Sequence, residues 1–151
     1  MRLNKRLIGV LTTVVSIVSL YFGMTLARSW FDRKRSSSFD SALVELSRHL
    51  NATLPMQAGE TRLDKTTAGP GNRFTYAYTL INTSADEMDA QTLTQTMRPQ
   101  IVNAYKTSPM MASFRDNRVE ITYLYSDKNG KLLAVIVVSP NDFSALPPPI
   151  R

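Results

Sequence analysis

Arg118–Ser139 reads RVEITYLYSDKNGKLLAVIVVS, and this stretch decides the fold class. In its first half Val119, Ile121, Tyr123 and Tyr125 alternate with Glu120, Thr122 and Leu124, the period-two pattern of a strand with two unlike faces. Asp127-Lys128-Asn129-Gly130 carries the Asn-Gly turn signal, and Lys131–Ser139 is a dense apolar strand. The two runs predict an antiparallel hairpin.

Upstream, Arg73–Asn82 (RFTYAYTLIN) alternates Phe74, Tyr76, Tyr78 and Leu80 against Thr75, Ala77, Thr79 and Ile81, which predicts another strand. Ala68-Gly69-Pro70-Gly71-Asn72 before it is a turn, and Met56–Leu63 reads as extended without strong patterning. Between Ser84 and Ser113 the period becomes helical. Asp86 and Glu87 load the first turn with negative charge, which suits the positive end of a helix dipole. Met88, Leu93 and Met97 share one side, and Pro99 can open a second helix carrying Ile101, Val102 and Tyr105. Phe39, Leu43, Leu46 and Leu50 recur at helical steps after the polar Ser36-Ser37-Ser38. The order helix, two strands, helices, two strands predicts an α+β domain with a four-stranded, mainly antiparallel sheet and helices on one face.

Leu7–Ala27 precedes this domain and holds 21 residues without a charge, enough for a helix to cross the ~30 Å apolar core of a bilayer. The run exceeds the roughly 7–15 apolar residues of a cleavable signal peptide and ends in a poor cleavage site, so an uncleaved transmembrane anchor is expected. Tyr21, Phe22 and Trp30 suit the interfacial aromatic belt. The expected division is an anchor with basic flanks over 1–35, an amphipathic linker helix over 36–55, a small α+β domain over 56–143 and a Pro-rich tail over 144–151.

The net charge of +6 is confined to the first part. Residues 1–35 carry seven Lys and Arg against Asp32 alone, whereas residues 36–151 carry eleven basic and eleven acidic side chains. Cations beside an apolar span meet anionic headgroups at about 1 kcal/mol each. The neutral domain lacks the electrostatic footprint of a nucleic-acid binder. Arg2, Lys5 and Arg6 on one side of the run nearly balance Arg28, Arg33, Lys34 and Arg35 on the other. Its likeness to an export signal therefore sets the expected orientation, with the amino terminus inside and the domain outside.

Little in the chain supports chemistry. There is no cysteine, which removes disulfides and thiolate sites. His49 is the single histidine; a hydrolase would have to bring it a serine and an acid in space. Asp86, Glu87 and Asp89 cannot all aim at one ion from one turn, so no metal is expected. The loop from Ala68 to Arg73 lacks the Gly-Lys-Ser/Thr ending of a phosphate loop, so no cofactor is expected either. Asn51-Ala52-Thr53 and Asn82-Thr83-Ser84 match the glycosylation acceptor pattern by composition alone. Tyr76, Tyr78, Tyr123 and Tyr125 form an aromatic set on two strands, a candidate interaction surface if it lines a groove; packing onto helices is the alternative.

Leu54-Pro55-Met56, Glu60 to Asp64, Ala68 to Arg73 and Tyr76 to Asn82 together resemble a group of small uncharacterised bacterial envelope proteins, as do Arg98-Pro99, Ile101-Val102-Asn103 and the Tyr123–Gly130 hairpin. The resemblance spans roughly Leu50 to Asp142. Its members usually carry one cysteine near the end of the middle helix and another after the last strand; Ala104–Thr107 and Asn141–Phe143 have none here. The resemblance implies a bacterial, extracytoplasmic domain and nothing catalytic. The expectation is a non-enzymatic, single-pass protein of the bacterial inner membrane with its C-terminal domain in the periplasm. Its partners would be the lipid bilayer and an envelope protein or a second copy of itself. A membrane-tethered immunity or inhibitor protein and an envelope hydrolase using His49 are the alternatives.

Overall fold

The computed structural model describes residues 39–143. Helix α1 (Phe39–Asn51) opens the domain and lays its apolar stripe on the sheet: Leu43 is fully buried, with Phe39, Leu46 and Leu50 packed beside it. The first turn is tied down through Asp40, whose carboxylate accepts from the backbone N–H of Gly71 (3.0 Å) and Asn72 (2.7 Å). Those residues adopt left-handed φ values of 77° and 55°, a conformation open to Gly and tolerated by Asn. The turn between two strands thus presents its donors to the helix.

Strand β1 (Met56–Ala58) turns through Gly59, at φ 57°, into β2 (Thr61–Gly69), which pairs antiparallel with β3 (Arg73–Leu80). The chain then crosses over the sheet. Helix α2 (Ala90–Thr107) starts where the Asp89 carboxylate accepts from the Thr92 N–H at 2.8 Å, which satisfies one of the first orphan donors of the helix. A 3-10 turn (Pro109–Met111) and the short helix α3 (Ala112–Asp116) lead into β4 (Glu120–Ser126), parallel to β3. Strand β5 (Leu132–Val138) returns antiparallel to β4, and a last 3-10 turn covers Pro140–Phe143.

The sheet order is β1-β2-β3-β4-β5. Its inner face carries Phe74, Tyr76, Tyr78, Leu80, Ile121, Tyr123, Tyr125, Ile136 and Val138, all buried. Leu93, Met97, Ile101 and Tyr105, at every fourth position of α2, pack onto it with Leu43 of α1. Burying each such side chain contributes about 1.5–3 kcal/mol, and this single layer is the core. The loop after β3 is fixed to the β4–β5 turn by Asp127, whose carboxylate accepts from the N–H groups of Ala85 (3.0 Å), Asn129 (2.8 Å) and Lys131 (2.8 Å).

The expected fold class is corrected on several points. The sheet has five strands, not four, and is mixed, because β3 and β4 run parallel across the helical crossover. The additional strand arises because Met56–Leu63 is divided by the Gly59 turn and continues to Gly69. Three α-helices are present among the described residues, and α2 runs through Pro99 instead of restarting there. None of the described helices is long and apolar enough to cross a membrane. The run Leu7–Ala27, on which the transmembrane expectation rests, lies outside the described residues, as do the rest of 1–38 and the tail from 144.

Candidate interaction surface

The two faces of the sheet differ. Both long helices sit on the inner face, and none of the described helices covers the other. On that outer face Arg62, Thr75, Ala77, Thr79, Thr122, Leu124, Val135 and Val137 are the alternate residues of β2 to β5. Its β2–β3 half is polar: the Arg62 guanidinium pairs with Asp64, which also accepts from the Thr79 hydroxyl at 2.5 Å. The β3–β5 half is apolar. Ala77 lies beside Leu124, Leu124 beside Val135, and Val137 beside Thr122, while Leu132, Val135 and Val137 are 54%, 48% and 37% exposed. Contiguous apolar surface of this kind on a small domain marks a contact site.

Single positions are occupied at the edges of β2 and β5. Beyond the end of β1, the Asn51 carboxamide of α1 behaves like a strand residue toward β2: it accepts from the Thr66 N–H at 2.8 Å and donates to the Thr66 carbonyl at 2.9 Å. Ser47 backs it with a hydroxyl contact to the Thr66 side chain at 3.1 Å. At the other edge Arg98 of α2 donates to the Val137 carbonyl at 2.6 Å and to the Asp142 carboxylate at 2.6 Å. Occupied edge groups and edge charges oppose strand addition. Of the four exposed large apolar side chains among the described residues, Val44 lies on α1 and the other three, Leu132, Val135 and Val137, lie together on β5.

Tyr76, Tyr78, Tyr123 and Tyr125 are brought together, but on the inner face. Their rings stack, with Tyr76 and Tyr123 centred 5.6 Å apart and Tyr78 and Tyr125 5.4 Å apart, and their exposures are 0–3%. Burial pushes all four hydroxyls well above the usual phenol range. Tyr105 completes this layer by donating to the Val119 carbonyl at 2.9 Å, and burial pushes its hydroxyl up to about 12.

His49 is half-buried on α1. Ser47, the serine nearest to it in sequence, is turned into the core against Thr66. Asp89 caps α2, Glu87 accepts from the Ser84 N–H at 2.8 Å, and among the described residues no three His, Asp or Glu side chains converge to hold a metal. The outer-face apolar set was not among the residues singled out from sequence. Its signal lies in LLAVIVV (132–138), where the alternation seen in β4 gives way to apolar residues at every position.

The fold of this small α+β domain is shared with several solved bacterial proteins. The type II secretion system pilotin AspS from Vibrio cholerae matches with a TM-score of 0.51 and 15% identity, over 68% of this chain and 89% of that one. The pilotin EpsS of the Vibrio vulnificus type 2 secretion system matches with a TM-score of 0.54 and 15% identity, over 68% and 88%. A crystal structure assigned to a secreted protein of Pseudomonas aeruginosa matches with a TM-score of 0.56 and 12% identity, over 70% and 97%. At such identities the likeness is one of fold. The chain itself belongs to the family described as a domain of unknown function, DUF8479, whose profile matches residues 38–134. No curated relative matches the sequence.

Proposed function

We propose that this chain is a non-enzymatic protein of the bacterial envelope whose domain binds another envelope protein through the outer face of its sheet. The observation that carries this reading is the contiguous exposure of Leu132, Val135 and Val137 beside Leu124 and Ala77. Fold likeness to two secretion-system pilotins supports a role in assembly. The uncharged run Leu7–Ala27 supports attachment to the inner membrane, with the domain on the periplasmic side. Tyr76, Tyr78, Tyr123 and Tyr125 contribute as a rigid backing beneath that face; direct contact with a partner would require α1 or α2 to lift.

A photo-crosslinking residue at Val135 of the full chain, activated in intact cells, tests the proposal. The expected result is a membrane-associated adduct of defined mass from Val135 and none from the exposed Arg48 on α1. An adduct of twice the chain mass would identify a second copy as the occupant. Equal adducts from both positions, or none from Val135, would remove the basis of the proposal.

A further inference from the structure

Away from the sheet face, the C-terminal ends of α2 and α3 meet the chain leaving β5 at a cleft of about 360 Å³, lined by Tyr105, Lys106, Arg115, Arg118 and Pro140. Three of these five side chains are cationic and none is acidic. Like charges gathered around one concavity raise its potential and draw in an anion.

The backbone positions two of the three. One Arg115 amino group, Nη1, donates to the carbonyls of Tyr105 (2.6 Å) and Ser108 (2.7 Å) at the end of α2. This holds the guanidinium in place and leaves Nε and Nη2 for another acceptor. Arg118 ends α3 in a Schellman arrangement: the Val119 N–H reaches the Phe114 carbonyl at 2.8 Å and the Arg118 N–H reaches the Arg115 carbonyl at 3.0 Å. Arg118 itself sits at φ 54°, the left-handed position that Gly usually fills and Asn sometimes does. An exposed arginine, in no ion pair among the described residues, occupies a place where local geometry favours a smaller residue. Tyr105 adds no donor, since its hydroxyl is spent on Val119.

We propose that this cleft is an anion site for a phosphate-bearing group. Arg115 supplies directed N–H donors from a fixed guanidinium, a geometry that matches phosphate oxygens, and Lys106 and Arg118 supply charge from the rim. Cations on several sides of one ligand favour an anion that presents acceptor oxygens in more than one direction, as a phosphate group does. The group can belong to a soluble phosphate or to a lipid headgroup, and the site is independent of the sheet face.

The test uses the full chain in neutral detergent, following the arginine Nε–H resonances. Inorganic phosphate and dihexanoylphosphatidylglycerol are titrated separately, with dihexanoylphosphatidylcholine and sodium chloride as controls. Arg118→Asn keeps a residue that tolerates the left-handed backbone while removing the charge, and Lys106→Gln removes a second charge from a helix end. The expected result is a saturable shift of Arg115 and Arg118, with affinity about tenfold weaker in Arg118→Asn. Response to phosphate alone assigns a soluble ligand, and response to phosphatidylglycerol alone assigns a headgroup. No saturable shift with either, an equal shift with chloride, or unchanged affinity in both variants overturns the proposal.

Discussion

Adjacent residues of β5 meet opposite surroundings: Ile136 has no exposed surface and Val135 is 48% exposed. Both are β-branched and apolar, so residue type does not separate them. What separates them is the helix layer, which covers one side of the sheet and stops. The inner face holds the domain together, and the outer face is where folding leaves apolar surface unused. Stability and recognition should accordingly be separable by mutation within a single strand.

The largest effect is expected on the covered side. Tyr78 is fully buried, stacked on Tyr76, Tyr123 and Tyr125 and opposite Leu63, so Tyr78→Ala removes a large ring from a layer with no room to collapse. The expected loss is about 3–5 kcal/mol, read as a drop in the denaturation midpoint. A loss below about 1 kcal/mol would mean that the tyrosine layer is not the core.

Next comes the edge of β2, where Asn51 of α1 occupies one position. Asn51→Ala removes the one side chain that satisfies both backbone groups of Thr66, at an expected cost of about 1–3 kcal/mol. It also opens the edge of β2. Self-association should then rise with concentration in sedimentation measurements, and an unchanged monomer would show that the edge has other protection.

Carboxylates set the response to pH. Backbone N–H groups of Asn72 and Gly71 hold Asp40 below the usual carboxylate range, and those of Thr92 and Ser139 do the same for Asp89 and Asp142. For Asp127 burial pushes upward, but the N–H groups of Lys131, Ala85 and Asn129 outweigh it and the carboxyl is held low. A folded value below the unfolded one gives stability that is fully present above the ordinary carboxylate pKa of about 4 and is lost as pH falls through the folded value. Denaturation midpoints should be flat from pH 7 to about 5 and fall below about 4. Asp127→Asn should lower stability at pH 7 and flatten that fall.

How much of this contrast could be read in the sequence depends on the strand. Strands β3 and β4 alternate cleanly and fold as that pattern predicts, and the Asn-Gly signal places the turn into β5. Strand β2 was obscured because its inward residues include Thr61 and Thr66, the latter matched to Ser47 and Asn51 of a helix distant in sequence. The register slip between Leu63 and Lys65 also shifts the period midway. The parallel pairing of β3 with β4 is a tertiary outcome of the α2 crossover, which no local pattern encodes. Alternation grouped the four tyrosines on one face but could not say which face the helices would cover. The surface that remained exposed was hidden for a related reason: β5 is apolar on both sides, which reads as a buried strand although only one side is buried.

That ambiguity is what the smallest predicted stability effect resolves. Val135 makes its cross-strand contact with Leu124 and is already half in water, so Val135→Lys can extend its ammonium into solvent along the sheet. Surface substitutions of this kind shift stability by no more than about 0.5 kcal/mol. The same change places a cation in the middle of the Leu124, Val135 and Val137 surface, and a desolvated unpaired charge opposes any partner that buries that surface. Stability should therefore stay within about 0.5 kcal/mol of the original, while an adduct formed from a crosslinker at Val137 disappears. Ile136→Lys, one residue away, should fail to fold. If Val135→Lys unfolds the domain, the outer face is structural. If the protein stays folded and the adduct persists, the partner binds elsewhere, and the apolar half of the sheet is only what the two-layer architecture leaves bare.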